Sequence, residues 1–204
     1  MIMNTFNEEK LESALGHAST WLEILKINKS ISIPENSYLF ERIHQLLESA
    51  MVENSSLNQI LPLQSNIREQ LSKLWNASID PSVFVHTPFH TDFGKHTVVG
   101  KHVFINKDVF FTDLGGIQID DYVLIGPRCT LITVNHSIDP NKRRGLELKP
   151  IHIKENAWLG ANVTILPGVT VGKNSIVGAN STVTKDIPDN AVAVGTPAKI
   201  IKFI

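Results

Sequence analysis

From Phe93 onward, large apolar residues return at every sixth position, and this spacing limits the chain to very few folds. One series runs Phe93, Val99, Ile105, Phe111, and a second runs Ile119, Ile125, Leu131. The third, Ile153, Leu159, Ile165, Val171, Val177, Val183, holds for five unbroken steps. A helix repeats every 3.6 residues and a flat strand every two, so neither accounts for six. Glycine often follows the aliphatic (Gly94, Gly100, Gly126, Gly160, Gly172, Gly178). Small or medium residues (Ala157, Val163, Val169, Ser175, Ser181, Ile187) stand four places after it in the third series. The pattern is that of a parallel β-helix, in which three short strands and three turns make a coil of about 18 residues. One coil cannot bury its own faces, so only the stack is stable. The spacing leaves the hand of the coil open, and crossover rules alone favour the right-handed form.

The rhythm breaks twice. Between Phe111 and Ile119 the step is eight, a bulge holding Asp113 and Gly115-Gly116. Between Leu131 and Ile153 lies a polar stretch at about 133–150, TVNHSIDPNKRRGLELKP, too rich in turn residues to be a coil. A polar loop ejected from a rigid solenoid is a usual place for chemistry. A tolerated insertion is the other reading. Ahead of the repeats, residues 1–78 read as helices. Leu11, Leu15, Ala18, Leu22 and Leu25 form one apolar stripe, with capping-box spacing at Thr5-Phe6-Asn7-Glu8. Leu39, Ile43, Leu46 and Ala50 follow Pro34, and Ile67, Leu71 and Leu74 follow Pro62. The expectation is a mainly β chain, with a helical region at 1–78 and a β-helix at 79–204 carrying the ejected loop.

Several classes fall away on composition. One cysteine in 204 residues, Cys129, excludes a disulfide framework and a Cys-rich zinc module, and points to a reducing, cytoplasmic setting. Cys129 sits at a corner position, where an inert buried thiol is expected. Residues 1–78 carry 6 basic and 9 acidic side chains, and residues 79–204 carry 13 and 11. Neither half has the basic excess of a nucleic-acid binder. No apolar run approaches the roughly 18–20 residues of a membrane span, and MIMNTFNEEK is too polar for a signal peptide.

The stretch from Asp80 to the end resembles the hexapeptide acyltransferases, in particular the maltose/galactoside O-acetyltransferase group. The residues that carry the resemblance are HTDFG (90–94), FIN (104–106), NHSIDP (135–140), AWLGANVTILPGVTVG (157–172), IVGANSTVTKDIP (176–188) and VGTPAKIIK (194–202), within a stretch that is about three-fifths of the chain. The resemblance implies a left-handed parallel β-helix, a homotrimer with sites in the clefts between subunits, and acetyl-CoA as co-substrate without a metal. The chain departs from the group in its N-terminal part, in a slightly shorter loop, and in Lys199 where Arg is usual.

His136 is the expected catalytic base, because it opens the ejected loop where the family's histidine falls and neutral imidazole takes a hydroxyl proton near pH 7. Asp92, Asn106 and Asp113 match positions that hold the acceptor in the family, and Glu147 is a further candidate. Carboxylates and carboxamides suit a polyol. They also suit tight turns, and for Asn106 that reading is nearly as good. By resemblance, Ala161, Gly178, Ala179, Thr184 and Lys185 line the pantetheine arm of acetyl-CoA, and Lys199 meets a CoA phosphate. The glycine and alanine serve equally as corner residues. Trp158 lies either against that arm or in a subunit interface. Lys142-Arg143-Arg144 reads as a solvated loop tip or as a holder of an anionic acceptor or CoA phosphate.

The expected activity is acetyl transfer from acetyl-CoA to a hydroxyl of a sugar or saccharide in a ternary complex, with the Ala161 N–H on the oxyanion. One rival is a xenobiotic O-acetyltransferase of the same fold, and another is a non-catalytic scaffold. A γ-class carbonic anhydrase would need three histidines around zinc, and no two of the eight stand one coil apart.

Overall fold

The computed structural model describes residues 8–204, so the capping residues expected at Thr5–Asn7 lie outside the described residues. A parallel β-helix of six turns fills the C-terminal part, and four helices pack at its beginning. Its first face stacks Phe84–Val85, Phe104–Ile105, Leu124–Ile125, Trp158–Leu159, Ile176–Val177 and Ala191–Val194 in parallel. The second stacks Phe89–Thr91, Val109–Thr112, Thr130–Ile132, Thr164–Ile165 and Thr182–Val183. The third stacks Thr97–Val99, Ile117–Ile119, Ile151–Ile153 and Thr170–Val171, and a single bridge joins Val171 to Ile187.

Each strand points at least one residue inward, and it meets its equivalent in the next coil. Ile105, Ile125, Leu159 and Val177 make one such column, and Phe111, Leu131, Ile165 and Val183 another; all are buried. Each buried aliphatic of this kind is worth about 1.5–3 kcal/mol. The corners divide two jobs. Asn156, Asn162, Asn174, Asn180 and Asn190 take the left-handed conformation, which asparagine tolerates better than most residues. Their amides bond coil to coil, from Asn156 to Asn174 and on to Asn190. The glycines expected to turn the chain mostly serve a different need. A Cβ on Gly160 would stand 2.7 Å from the Ala179 nitrogen, so that glycine lets neighbouring coils touch.

Phe93 departs from the expected inward column. Thr91 takes that place opposite Phe111, while Phe93 packs in a second core with Trp21, Leu25 and Ile43. The reason is coil length. Phe84 pairs with Phe104 and Phe104 with Leu124, so the first two coils hold 20 residues each, with the excess in the corner between second and third faces. The six-residue step from Phe93 to Val99 therefore spans a bulge. The same corner of the third coil ejects residues 133–150, which fold as an antiparallel hairpin, Val134–His136 with Leu146–Leu148. Strand Ile31–Ile33 adds to its free edge, an element absent from the sequence reading.

The first helical stripe is two helices, α1 (Glu8–Ala14) and α2 (Ala18–Asn28), because Gly16 adopts a positive φ between them. Helices α3 (Tyr38–Leu57) and α4 (Gln64–Leu74) follow as the other stripes imply. Both close the open end of the solenoid, which would otherwise expose strand edges. The Asn58 amide donates to the Phe89 carbonyl at 2.8 Å and accepts from its N–H at 2.9 Å. Gln64 does the same for Val85. At the far end, strand Lys199–Phe203 folds back antiparallel on Ala191–Val194.

Candidate active site

The hairpin is rooted by Thr133, a fully buried residue whose hydroxyl donates to the Thr112 carbonyl and accepts from the Gly115 N–H at 2.8 Å. Three residues on, His136 is exposed, and its Nδ1 lies 3.1 Å from the Gly145 carbonyl across the hairpin. A carbonyl only accepts, so Nδ1 carries the proton and Nε2 is left as the basic nitrogen. Gly145 is the orienting group that the sequence did not disclose. A Cβ there would stand 3.0 Å from the Ile33 carbonyl, so a bare backbone is needed where the hairpin meets its third strand.

Below the hairpin, in the same corner of the first two coils, lie Asp92 and Asp113. Asp113 is fully buried and its two oxygens accept five hydrogen bonds: from the Thr91 and Thr97 hydroxyls at 2.7 and 2.8 Å, and from the N–H groups of Phe93, Gly94 and His96. The acceptor contact expected of Asp113 is thus closed to it, because a carboxylate this enclosed has no free face. It ties the 91–97 turn together instead. Asp92 rides on that turn, accepting from the N–H groups of Phe93 (2.6 Å) and Asp113 (2.9 Å). Burial, followed by the neighbouring Asp113 carboxylate, pushes the Asp92 carboxyl up to about 8. Asp92 is therefore a hydrogen-bond donor as well as an acceptor at neutral pH. His96, unmarked by any sequence signal, is buried beneath the turn. Its Nδ1 donates to the Leu114 carbonyl, its Nε2 accepts from the Gly16 N–H, and burial holds it down to about 4.

The remaining candidates spread over two edges of the prism. Thr184 and Lys185 are exposed on the same edge as His136, farther along the stack. Asn106, Ala161, Gly178 and Ala179 line the edge between first and second faces, so the second face separates the two groups. Asn106 accepts from the Lys107 N–H at 2.8 Å, which is turn chemistry. Among the described residues, no acceptor pairs with the N–H of Ala161 or Ala179. Trp158 points outward on the first face, half-exposed, and Lys199 begins the exposed terminal strand. Glu147 pairs with Asn135 in the hairpin register while His136 pairs with Leu146. Strand alternation therefore turns Glu147 to the opposite side from His136, where it accepts from the Ser32 hydroxyl at 2.7 Å. Cys129 is buried, bonded through sulfur to the Gly160 carbonyl, and pushed up to about 11 by burial, so no thiolate is available as a nucleophile. Among the described residues no helix is long and apolar enough to cross a membrane, and no three His, Cys, Asp or Glu side chains are grouped to hold a metal ion.

Comparison with known proteins converges on one group. The family model for bacterial transferase hexapeptide (six repeats) matches residues 150–185. A galactoside O-acetyltransferase of Lactococcus lactis is 38% identical over 160 residues, 77% of each chain. The structure of a maltose O-acetyltransferase from Clostridium difficile superposes with a TM-score of 0.77 at 34% identity, covering 85% of this chain and 92% of that one. A Vibrio cholerae hexapeptide-repeat acetyltransferase, solved with acetyl coenzyme A, superposes at 0.70 with 36% identity, covering 79% and 88%.

Proposed function

Because the chain belongs to the hexapeptide-repeat O-acetyltransferases, we propose that it moves acetyl from acetyl-CoA to a saccharide hydroxyl, with His136 as general base. The observation that carries this reading is the 3.1 Å contact from His136 Nδ1 to the Gly145 carbonyl, which reserves Nε2 on an exposed rim. Nε2 takes the hydroxyl proton as the acceptor oxygen forms its bond to the thioester carbon. When the carbon–sulfur bond breaks, the imidazolium returns that proton to the departing thiolate. The unpaired Ala161 N–H suits the oxyanion formed between these steps. With Cys129 neutral and buried, direct transfer in a ternary complex is the simpler route.

The division of candidate residues between two edges supports a composite site. Three prisms with their second faces turned inward would set the His136 edge of one against the Ala161 edge of the next, giving a homotrimer with three clefts. Asn106 and Asp92 then contact the acceptor, Ala179, Thr184 and Lys185 the pantetheine arm, and Lys199 a CoA phosphate. Reliance on acetyl-CoA and a single buried cysteine fit a cytoplasmic setting.

Replacing the base tests the mechanism. General-base catalysis is worth about 10²–10⁴-fold, so His136→Ala should lower kcat by that factor while acetyl-CoA binding, read by calorimetry, is unchanged. Near-normal turnover in the variant would remove His136 from the mechanism.

A further inference from the structure

The cleft beside His136 has walls from two distant parts of the chain. The hairpin supplies His136, Arg143, Arg144 and Leu146, and α3 supplies Phe40 and His44. Among the described residues no carboxylate lines it. Arg143 donates from Nη2 to the Ile138 carbonyl at 3.0 Å, which anchors the guanidinium without neutralising it. Arg144 stands 3.2 Å from Glu35 in a solvent-exposed pair, so its charge is partly offset. Glu41 of α3 and Asp139 of the hairpin are outside the lining, and Glu147 faces Ser32 on the other side of the hairpin. His44 is held by Nδ1 on the Phe40 carbonyl at 2.8 Å, as His136 is held on Gly145, so both rings keep Nε2 free. The Phe40 ring lies 4.2 Å from that of His44 and, partly buried against the helical core, adds an apolar wall to the cleft.

We propose that the acceptor is an anionic saccharide. Its carboxylate or phosphate is seated on Arg143 with Arg144 beside it, its ring packs on Phe40, and one hydroxyl reaches His136 Nε2. This rests on the acetyltransferase reading and adds the substrate class. A guanidinium matches the planar carboxylate and the phosphate through paired N–H donors, which a neutral polyol cannot use as fully. An aromatic face accepts the C–H side of a sugar ring whatever its charge, so Phe40 fixes position while the arginines select.

Matched acceptors decide it: glucose against glucuronate and glucose 6-phosphate, and galactose against galacturonate, each assayed by release of CoA thiol. The charged members should show kcat/KM roughly tenfold above the neutral ones, with the preference shrinking as salt rises. The carboxylate and phosphate arms identify which anion is taken. Arg143→Ala should erase most of the preference and Arg143→Lys only part of it, while Lys142→Ala, at the loop tip, should leave it intact. Equal or better turnover of the neutral sugars overturns the proposal. So does a rise in the KM for acetyl-CoA in Arg143→Ala with the acceptor preference unchanged, since that assigns Arg143 to the donor. Absence of CoA release with every sugar, charged or neutral, would instead overturn the acetyltransferase reading beneath it.

Discussion

Two carboxylates one coil apart, Asp92 and Asp113, show how neighbours divide chemical roles. Asp113 spends both oxygens on the turn that carries Asp92, and Asp92 holds its proton up to about pH 8. An acid whose folded pKa is raised above its ordinary 3.8 favours the folded state below that value, and the gain is lost as pH rises toward 8. Thermal melts between pH 5 and 9 should therefore show the wild type losing stability as pH rises to about 8 and levelling off above it. Asp92→Asn, which keeps the acceptor oxygen and adds a neutral donor, should flatten that decline and gain about 1–2 kcal/mol at the upper end. A decline below pH 8 that persists in the variant would assign it to other groups. At the donor end, Lys199→Ala should raise the KM for acetyl-CoA by about tenfold and spare kcat, as loss of one partly solvated charge-assisted contact implies. The residue types at 92, 113 and 136 were legible as polar chemistry. The closure of Asp113 was not, since its donors Thr91 and Thr97 come from the preceding coil and only stacking brings them near.

Among the elements, the helical cap carries a task that sequence periodicity does not advertise. Asn58 and Gln64 imitate a strand by meeting both backbone groups of Phe89 and Val85. Asn58→Ala should cost about 1–3 kcal/mol in urea unfolding, because it strands the Phe89 N–H at a half-buried edge, while the Phe89 carbonyl keeps the Asn54 amide at 2.9 Å. Asn58→Asp, which keeps the acceptor and loses the donor, should cost less than the alanine. The helices themselves were plain from their stripes, and coils three to five from their hexads. The first coil was misread because Phe93, which looks like an inward residue, belongs to the helical core. Strand Ile31–Ile33 escaped notice because its partner is a hairpin edge more than a hundred residues away, and three residues carry little pattern of their own.

At the level of the whole molecule, the proposed division of the site between two edges implies that activity depends on assembly. Light scattering should report three chains at micromolar concentration, and dilution to monomers should abolish CoA release before it unfolds the protein. A stable, active monomer would overturn the shared cleft. The stack also fixes distance. Strand Trp158–Leu159 pairs with Ile176–Val177 18 residues on, and the Asn156–Asn174–Asn190 amides clamp successive coils. Adjacent strands lie about 4.8 Å apart, so length along the axis comes in steps of that size. The hairpin leaves from the third coil and the terminal strand folds on the sixth, which makes the span between hairpin and tail a count of coils. Such a chain keeps its gauge digitally: a single-residue insertion throws the columns out of register, whereas loss or gain of one whole coil resets the molecular yardstick by one division.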